Sequence, residues 1–310
     1  MCSCHAGGCP RMIEPAITTN EGAAMSETIR SEGNPRITLL LRAFTIVETI
    51  VLAVAGLSLL FLPGWTHRVW PWELTPFNTR FLGCIYLASL VSVASLVVFA
   101  RWAPARLVAP MIFAFTTTVL IVSILYTSRF EDRLSTIGWW IIFIITPLKS
   151  AYFLWRYRRM PPALAIGTSR VLSGILALEA FATGVYGALL VATPAWSTSF
   201  WPWPIDAFHG RLYSAVFLTL AVGSYVVLRR ASPNEFATLG ATQVTLGLTA
   251  IAGLVIMDAD VQKVDWAAAG TWVWVAGFAV LALAGIWLIA RGLAGRSVGA
   301  RKTAQAEGLS

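Results

Sequence analysis

Two glutamates sit where a glutamate is costly. Glu48 and Glu179 each lie near the middle of a long apolar run. A charged side chain at the centre of a membrane-spanning helix costs about 2.5–3.5 kcal/mol on insertion scales. An acid in that place is expected to be neutralised, paired or facing water. Two of them at matching positions suggest a proton- or cation-binding pair near an axis between two halves of the protein. Held neutral and bonded to neighbouring helices, the same two residues would serve packing alone. Lys149 also lies deep in an apolar run and is a candidate partner for Glu48, although its counterpart in the second half is Val280.

Other chemistry is thin. Cys2, Cys4, His5 and Cys9 could ligate a soft metal, but their spacing is neither paired CxxC nor haem-attaching CxxCH, so no metal or other cofactor is expected. Met25 offers a second start that would remove the cluster. Cys84 reads as a small buried hydrophobe. His67 and His209 lie near one face and are not equivalent in the repeat described below, which argues against bis-histidine haem ligation. There is no phosphate-cradling glycine loop, HExxH or nucleophile elbow, so no enzyme is expected.

The elements that must position these residues follow from composition. Of 310 residues, 57% are hydrophobic and 12% charged, against roughly a quarter charged in soluble domains. A hydrocarbon core about 30 Å thick needs roughly 20 apolar residues of helix. Eight segments qualify, near 37–62, 76–100, 105–127, 136–156, 168–193, 207–229, 235–257 and 268–290, with Pro63, Pro104, Pro161–Pro162, Pro194 and Pro233 between them. Helix is expected throughout, since an isolated strand in lipid leaves its backbone unpaired. Residues 36–55 resemble a signal peptide ending at Ala53-Val54-Ala55, but the apolar run continues to Leu62, so the first span is read as retained.

Orientation follows from the basic residues. With the N-terminus cytoplasmic, six of the 23 Lys and Arg fall outside (Arg68, Arg80, Arg129, Arg133, Arg211 and Lys263) and the rest fall inside. That is a strong positive-inside bias. It also accounts for the net charge of +8 without a nucleic-acid partner. Both termini are expected in the cytoplasm, in a bacterial plasma membrane. All of the 14 tryptophans except Trp102, Trp155 and Trp287 lie near outer span ends. Interfacial anchoring explains such a belt, and a shaped outer surface would explain it too.

The second half repeats the first at a shift of 131 residues. Glu48 falls on Glu179, Gly56 on Gly187, Pro63 on Pro194 and Trp65 on Trp196; Trp70-Pro71-Trp72 falls on Trp201-Pro202-Trp203, and Arg80 on Arg211. Four spans per copy place both copies the same way up, so the reading is an all-α integral membrane protein of about eight transmembrane helices arranged as two parallel four-helix repeats. The divisions are a tail (1–36), a first repeat (37–158), a cytoplasmic linker (159–167), a second repeat (168–291) and a basic tail (292–310). Thr75 and Asp206 are predicted helix N-caps. Arg80 and Arg211, one turn further on, are expected to snorkel or to pair with Glu73 and Asp206. Ala180, Gly184, Ala188 and Ala192 form a small-residue stripe that suggests close helix packing.

Two functions follow as expectations. One is a small transporter or channel-like protein with its site between the halves, using Glu48, Glu179 and Lys149. The other is a non-catalytic envelope scaffold, assembly factor or sensor that meets a membrane or envelope partner through an outer surface of Trp70, Trp72, Arg80, Trp201, Trp203 and Arg211. In either case the lipid bilayer is the main surrounding partner.

Overall fold

The computed structural model describes residues 34–160 and 165–307, so the N-terminal cysteines, Met25 and part of the linker lie outside the described residues. The long helices are α1 (Leu39–Phe61), α3 (Pro76–Phe99), α4 (Trp102–Leu125), α5 (Leu134–Tyr157), α6 (Arg170–Ala192), α8 (Ala207–Arg229), α9 (Pro233–Val261) and α10 (Ala269–Glu307). Short α2 (Pro63–Val69) and α7 (Pro194–Ser197) follow α1 and α6. Among the described residues there is no strand, and the eight long helices are each apolar enough to cross a membrane. The chain is an all-α multi-pass membrane protein.

Side chains set the helix starts. Thr38, Thr75, Ser169 and Asp206 each accept a hydrogen bond from the backbone N–H three residues on, which satisfies one of the donors a helix start leaves open. Ser232 and Glu235 form a reciprocal capping box at the start of α9. Pro63, Pro76, Pro194 and Pro233 occupy first-turn positions, where the missing N–H costs nothing.

Two boundaries differ from the sequence reading. The third span begins at Trp102, with Pro104 inside its first turn rather than ahead of it. The last helix continues to Glu307, so most of the expected C-terminal tail is helical; Gly292 packs against Pro233 and extends the docking of α10 onto α9.

Neighbouring helices form two rows, α1–α3–α9–α10 and α5–α4–α8–α6. The rows touch through α3, α4, α8 and α9, the four most buried of the long helices, while α1 and α6 present most of their surface outward. Gly56 lets α1 lie on α3, since a Cβ there would stand 2.9 Å from Leu87 Cδ2; Gly187 does the same for α6 on α8, 2.8 Å from Leu218 Cγ. These two glycines make the close approach that the stripe through Gly184 suggested, for Ala188 and Ala192 are exposed.

Candidate functional site

Between α1 and α5, at the free ends of the two rows, lies a slot of about 690 Å³. It runs along α1 from Phe44 to Ser58 and along α5 from Ser135 to Lys149, about 21 Å at a helical rise of 1.5 Å per residue. Its floor is formed by α3 and α4, with Thr219 and Leu220 of α8 and Thr242 and Leu246 of α9 behind them. Its mouth faces outward between exposed Val47, Val51 and Val54 on one side and Ile141 and Ile145 on the other. Trp65 of α2 and Trp70 just after it close one end.

Glu48 and Lys149 meet inside this slot. The ammonium donates to Glu48 Oε1, and the two side chains are only 17% and 6% exposed. Glu48 Oε2 is buried without a hydrogen-bond partner, as are Trp70 Nε1, Ser135 Oγ and Thr219 Oγ1 on the same walls. Neither ion would be stable alone at this depth. The pair uses one of the ammonium's three donors and one carboxylate oxygen, and leaves the remaining hydrogen-bonding capacity unused on two residues that line the slot.

Sequence explains why the slot belongs to the first half. α10 lies tight on α9 through Gly240, Gly247 and Gly285: a Cβ at Gly240 or Gly247 would overlap the carbonyl oxygen of Gly285 or Phe278. The positions 131 residues earlier are Ala109, Thr116 and Leu154. Those side chains forbid the same approach of α5 to α4.

Glu179 has a different setting. Its Oε1 accepts from Ser224 Oγ at 2.8 Å and from Gln243 Nε2, so α8 and α9 hold it. Each acid is thus bonded within its own half, and the expected meeting of the two between the halves is not what the structure shows. The interface between halves is instead carried by α3 with α9 and α4 with α8. There Ser92 Oγ lies 2.6 Å from Thr242 Oγ1, and the Cys84 thiol donates to the Thr249 carbonyl at 3.1 Å.

The Trp-Pro-Trp residues are not an outer surface. Trp70, Trp72, Trp201 and Trp203 are all buried: Trp72 and Trp203 reach into the other half, while Trp70 packs on Tyr86 and Trp139 and the Trp201 indole donates to the Tyr186 hydroxyl within their own halves. Trp72 Nε1 donates to His209 Nε2 at 3.1 Å, and Trp203 Nε1 donates to Asn78 Oδ1 at 3.0 Å. Trp72 also meets Phe208 edge-on, and Trp203 stacks on Phe77. Burying two indoles with partnered N–H groups gives the loop face a packed aromatic core. Only Trp65 and Trp196 of the equivalent positions are left exposed.

The arginines also differ from expectation. Arg80 pairs with Asp260 at 3.5 Å rather than with Glu73. Arg211 donates to the Val191 carbonyl and to the Tyr126 hydroxyl rather than to Asp206. Asp206 is taken by Arg129 at 2.6 Å and by His209 Nδ1 at 2.7 Å. Partial burial pushes the Asp206 carboxyl up, but the hydrogen bonds it accepts from the His209 ring and backbone N–H, with the charge of Arg129, outweigh that and hold it at about 2.

Two features were not foreseen. Arg106 donates to Glu235 Oε1 at 2.7 Å and also reaches the Arg230 carbonyl, which ties α4 to the start of α9 across the halves. Ser-x-x-Glu after a helix stop could have flagged Glu235 as a capping residue, but nothing in the sequence names its arginine. The slot itself is the second feature, visible in sequence only as the missing glycines of α4 and α5. Among the described residues no group of three or more His, Cys, Asp or Glu side chains is placed to hold a metal ion. Compared with models of protein families, with curated proteins and with solved structures, the chain matches none of them.

Proposed function

We propose that the chain is a small, non-enzymatic transporter built on two copies of one four-helix unit, with its substrate site in the slot of the first half and Glu48–Lys149 as the polar element of that site. The observation that carries this reading is a buried ion pair with unused hydrogen-bonding capacity inside an outward-facing apolar cavity. Charge in the hydrocarbon region is retained where substrates or protons must pass, and cavities of a few hundred Å³ with a few convergent polar groups are the usual form of a ligand site.

The two-copy reading draws support from contacts that exchange under the 131-residue shift. The Trp72–His209 bond becomes Trp203–Asn78, Gly56 on Leu87 becomes Gly187 on Leu218, and α3 on α9 becomes α8 on α4. Such exchange is what a twofold axis along the membrane normal produces. One copy keeps the slot open and the other closes it with glycines, a division suited to a working half and a supporting half. The bias of the basic residues supports a reading with both termini on the cytoplasmic side of the membrane. A scaffold that works through Trp-Pro-Trp loops draws less support, because those indoles are spent in the interior.

The test is proton movement into proteoliposomes carrying a trapped pH dye, under an imposed potential. The transport reading expects flux above empty liposomes, lost in Glu48→Gln and kept in Glu179→Gln. Flux equal to empty liposomes, or lost equally in both variants at normal protein levels, contradicts it.

A further inference from the structure

We infer that the slot binds a long-chain carboxylic acid, with its head on Glu48–Lys149 and its chain lying along α1 and α5 towards Trp70. This rests on the transport reading of the same cavity and adds the class of molecule.

The head follows from the free valences. A lysine ammonium has three donors and no acceptor, and among the described residues Lys149 has a single hydrogen-bond partner, Glu48 Oε1. Glu48 Oε2 is buried and bonded to nothing. The site therefore presents a donor beside an acceptor, with no net charge. A neutral carboxylic acid matches both: its carbonyl oxygen accepts from Lys149 Nζ and its O–H donates to Glu48 Oε2. An ester or a hydrocarbon cannot make both bonds, and a strongly charged head would have to be desolvated against an already balanced pair.

The chain follows from the walls. Beyond the pair the cavity is lined mostly by aliphatic and aromatic side chains, with Ser and Thr hydroxyls such as Ser135 and Thr219 as its other polar groups, over about 21 Å of helix, longer than half of a 30 Å hydrocarbon core. Its mouth between Val51 and Ile141 opens sideways, where lipid lies, so an acyl chain can enter without crossing water. Gly138 sits on the slot wall of α5, and a Cβ there meets nothing within 4 Å. The space beside it is open to the chain.

The test uses purified protein in phosphatidylcholine nanodiscs and a diazirine-bearing palmitic acid, with crosslinks located by peptide mass spectrometry. Labelling is expected on α1 and α5 between residues 44 and 58 and between 135 and 149. Unlabelled palmitic acid should compete with it and methyl palmitate should not. Lys149→Met should weaken it at least tenfold. Gly138→Phe, which fills open space and leaves the ion pair intact, should reduce it equally without loss of folded protein. Labelling spread evenly over the lipid-facing helices, or competed equally by methyl palmitate, overturns the proposal. So does equal labelling of the slot by a diazirine phosphatidylcholine, which would assign the cavity to a bilayer lipid. Binding is read without flux. Proton flux with no labelling would therefore sink the acid and leave transport standing, and labelling with no flux would do the reverse.

Discussion

Replacing Lys149 by Met is predicted to destabilise the protein by about 3 kcal/mol, at the low end of what removing one partner of a buried ion pair costs. The low end applies because Glu48 keeps 17% of its side chain exposed. Glu48→Met should cost a similar ~3 kcal/mol, since it leaves the ammonium alone at 6% exposure. The double variant is the informative one. With both charges replaced by apolar side chains of similar length, the cost should fall to within about 1 kcal/mol of wild type, far from the roughly 6 kcal/mol of an additive pair. Equilibrium unfolding in mixed dodecyl maltoside–SDS micelles, followed by tryptophan fluorescence, measures all four corners of the cycle. Additive losses, or single variants within about 0.5 kcal/mol of wild type, would mean that the two side chains do not depend on each other, and the reasoning would fail.

Gly240→Ala should cost about 1–3 kcal/mol by forcing α9 off α10, while Gly138→Ala, with open space at its Cβ, should be neutral or stabilising; unfolding of the two variants side by side checks this. Trp203→Phe removes the donor to Asn78 Oδ1 and should lower stability by about 1–3 kcal/mol, a loss that Asn78→Leu in the same chain should partly restore. Asp206 is held at about 2, below its ordinary value of 3.8, so its contribution to stability is present above the ordinary carboxylate range and is lost as pH falls towards 2. Asp206→Asn should flatten the pH dependence of unfolding between pH 4 and 2, and an unchanged slope there would show that other carboxylates govern it.

Much of the fold is legible in the residues because lipid imposes a simple rule of length and hydropathy. Caps such as Thr75 and Asp206 are legible too, since they act over three residues of their own chain. The pairing of Glu48 with Lys149 could be named as a candidate because few charges lie deep enough to choose from. What was not legible depends on which faces meet. Trp72 and Trp203 look like interfacial anchors until the other half supplies His209 and Asn78 as acceptors. Arg80 has Glu73 nearer in sequence, but α9 brings Asp260 to it. The slot arises from an absence, since Ala109, Thr116 and Leu154 stand where the second half has glycine. Only comparison of the two halves in three dimensions gives that difference a consequence.

The central claim is that the first half holds an outward-facing cavity with a charged pair at its base. A cryo-electron microscopy map of the protein in nanodiscs tests it most directly. The expected map shows α1 and α5 held apart, Glu48 and Lys149 in contact, and an elongated density between the helices that ends at the ammonium. Helices α1 and α5 packed side by side, with the two charged groups turned away from each other, would contradict it.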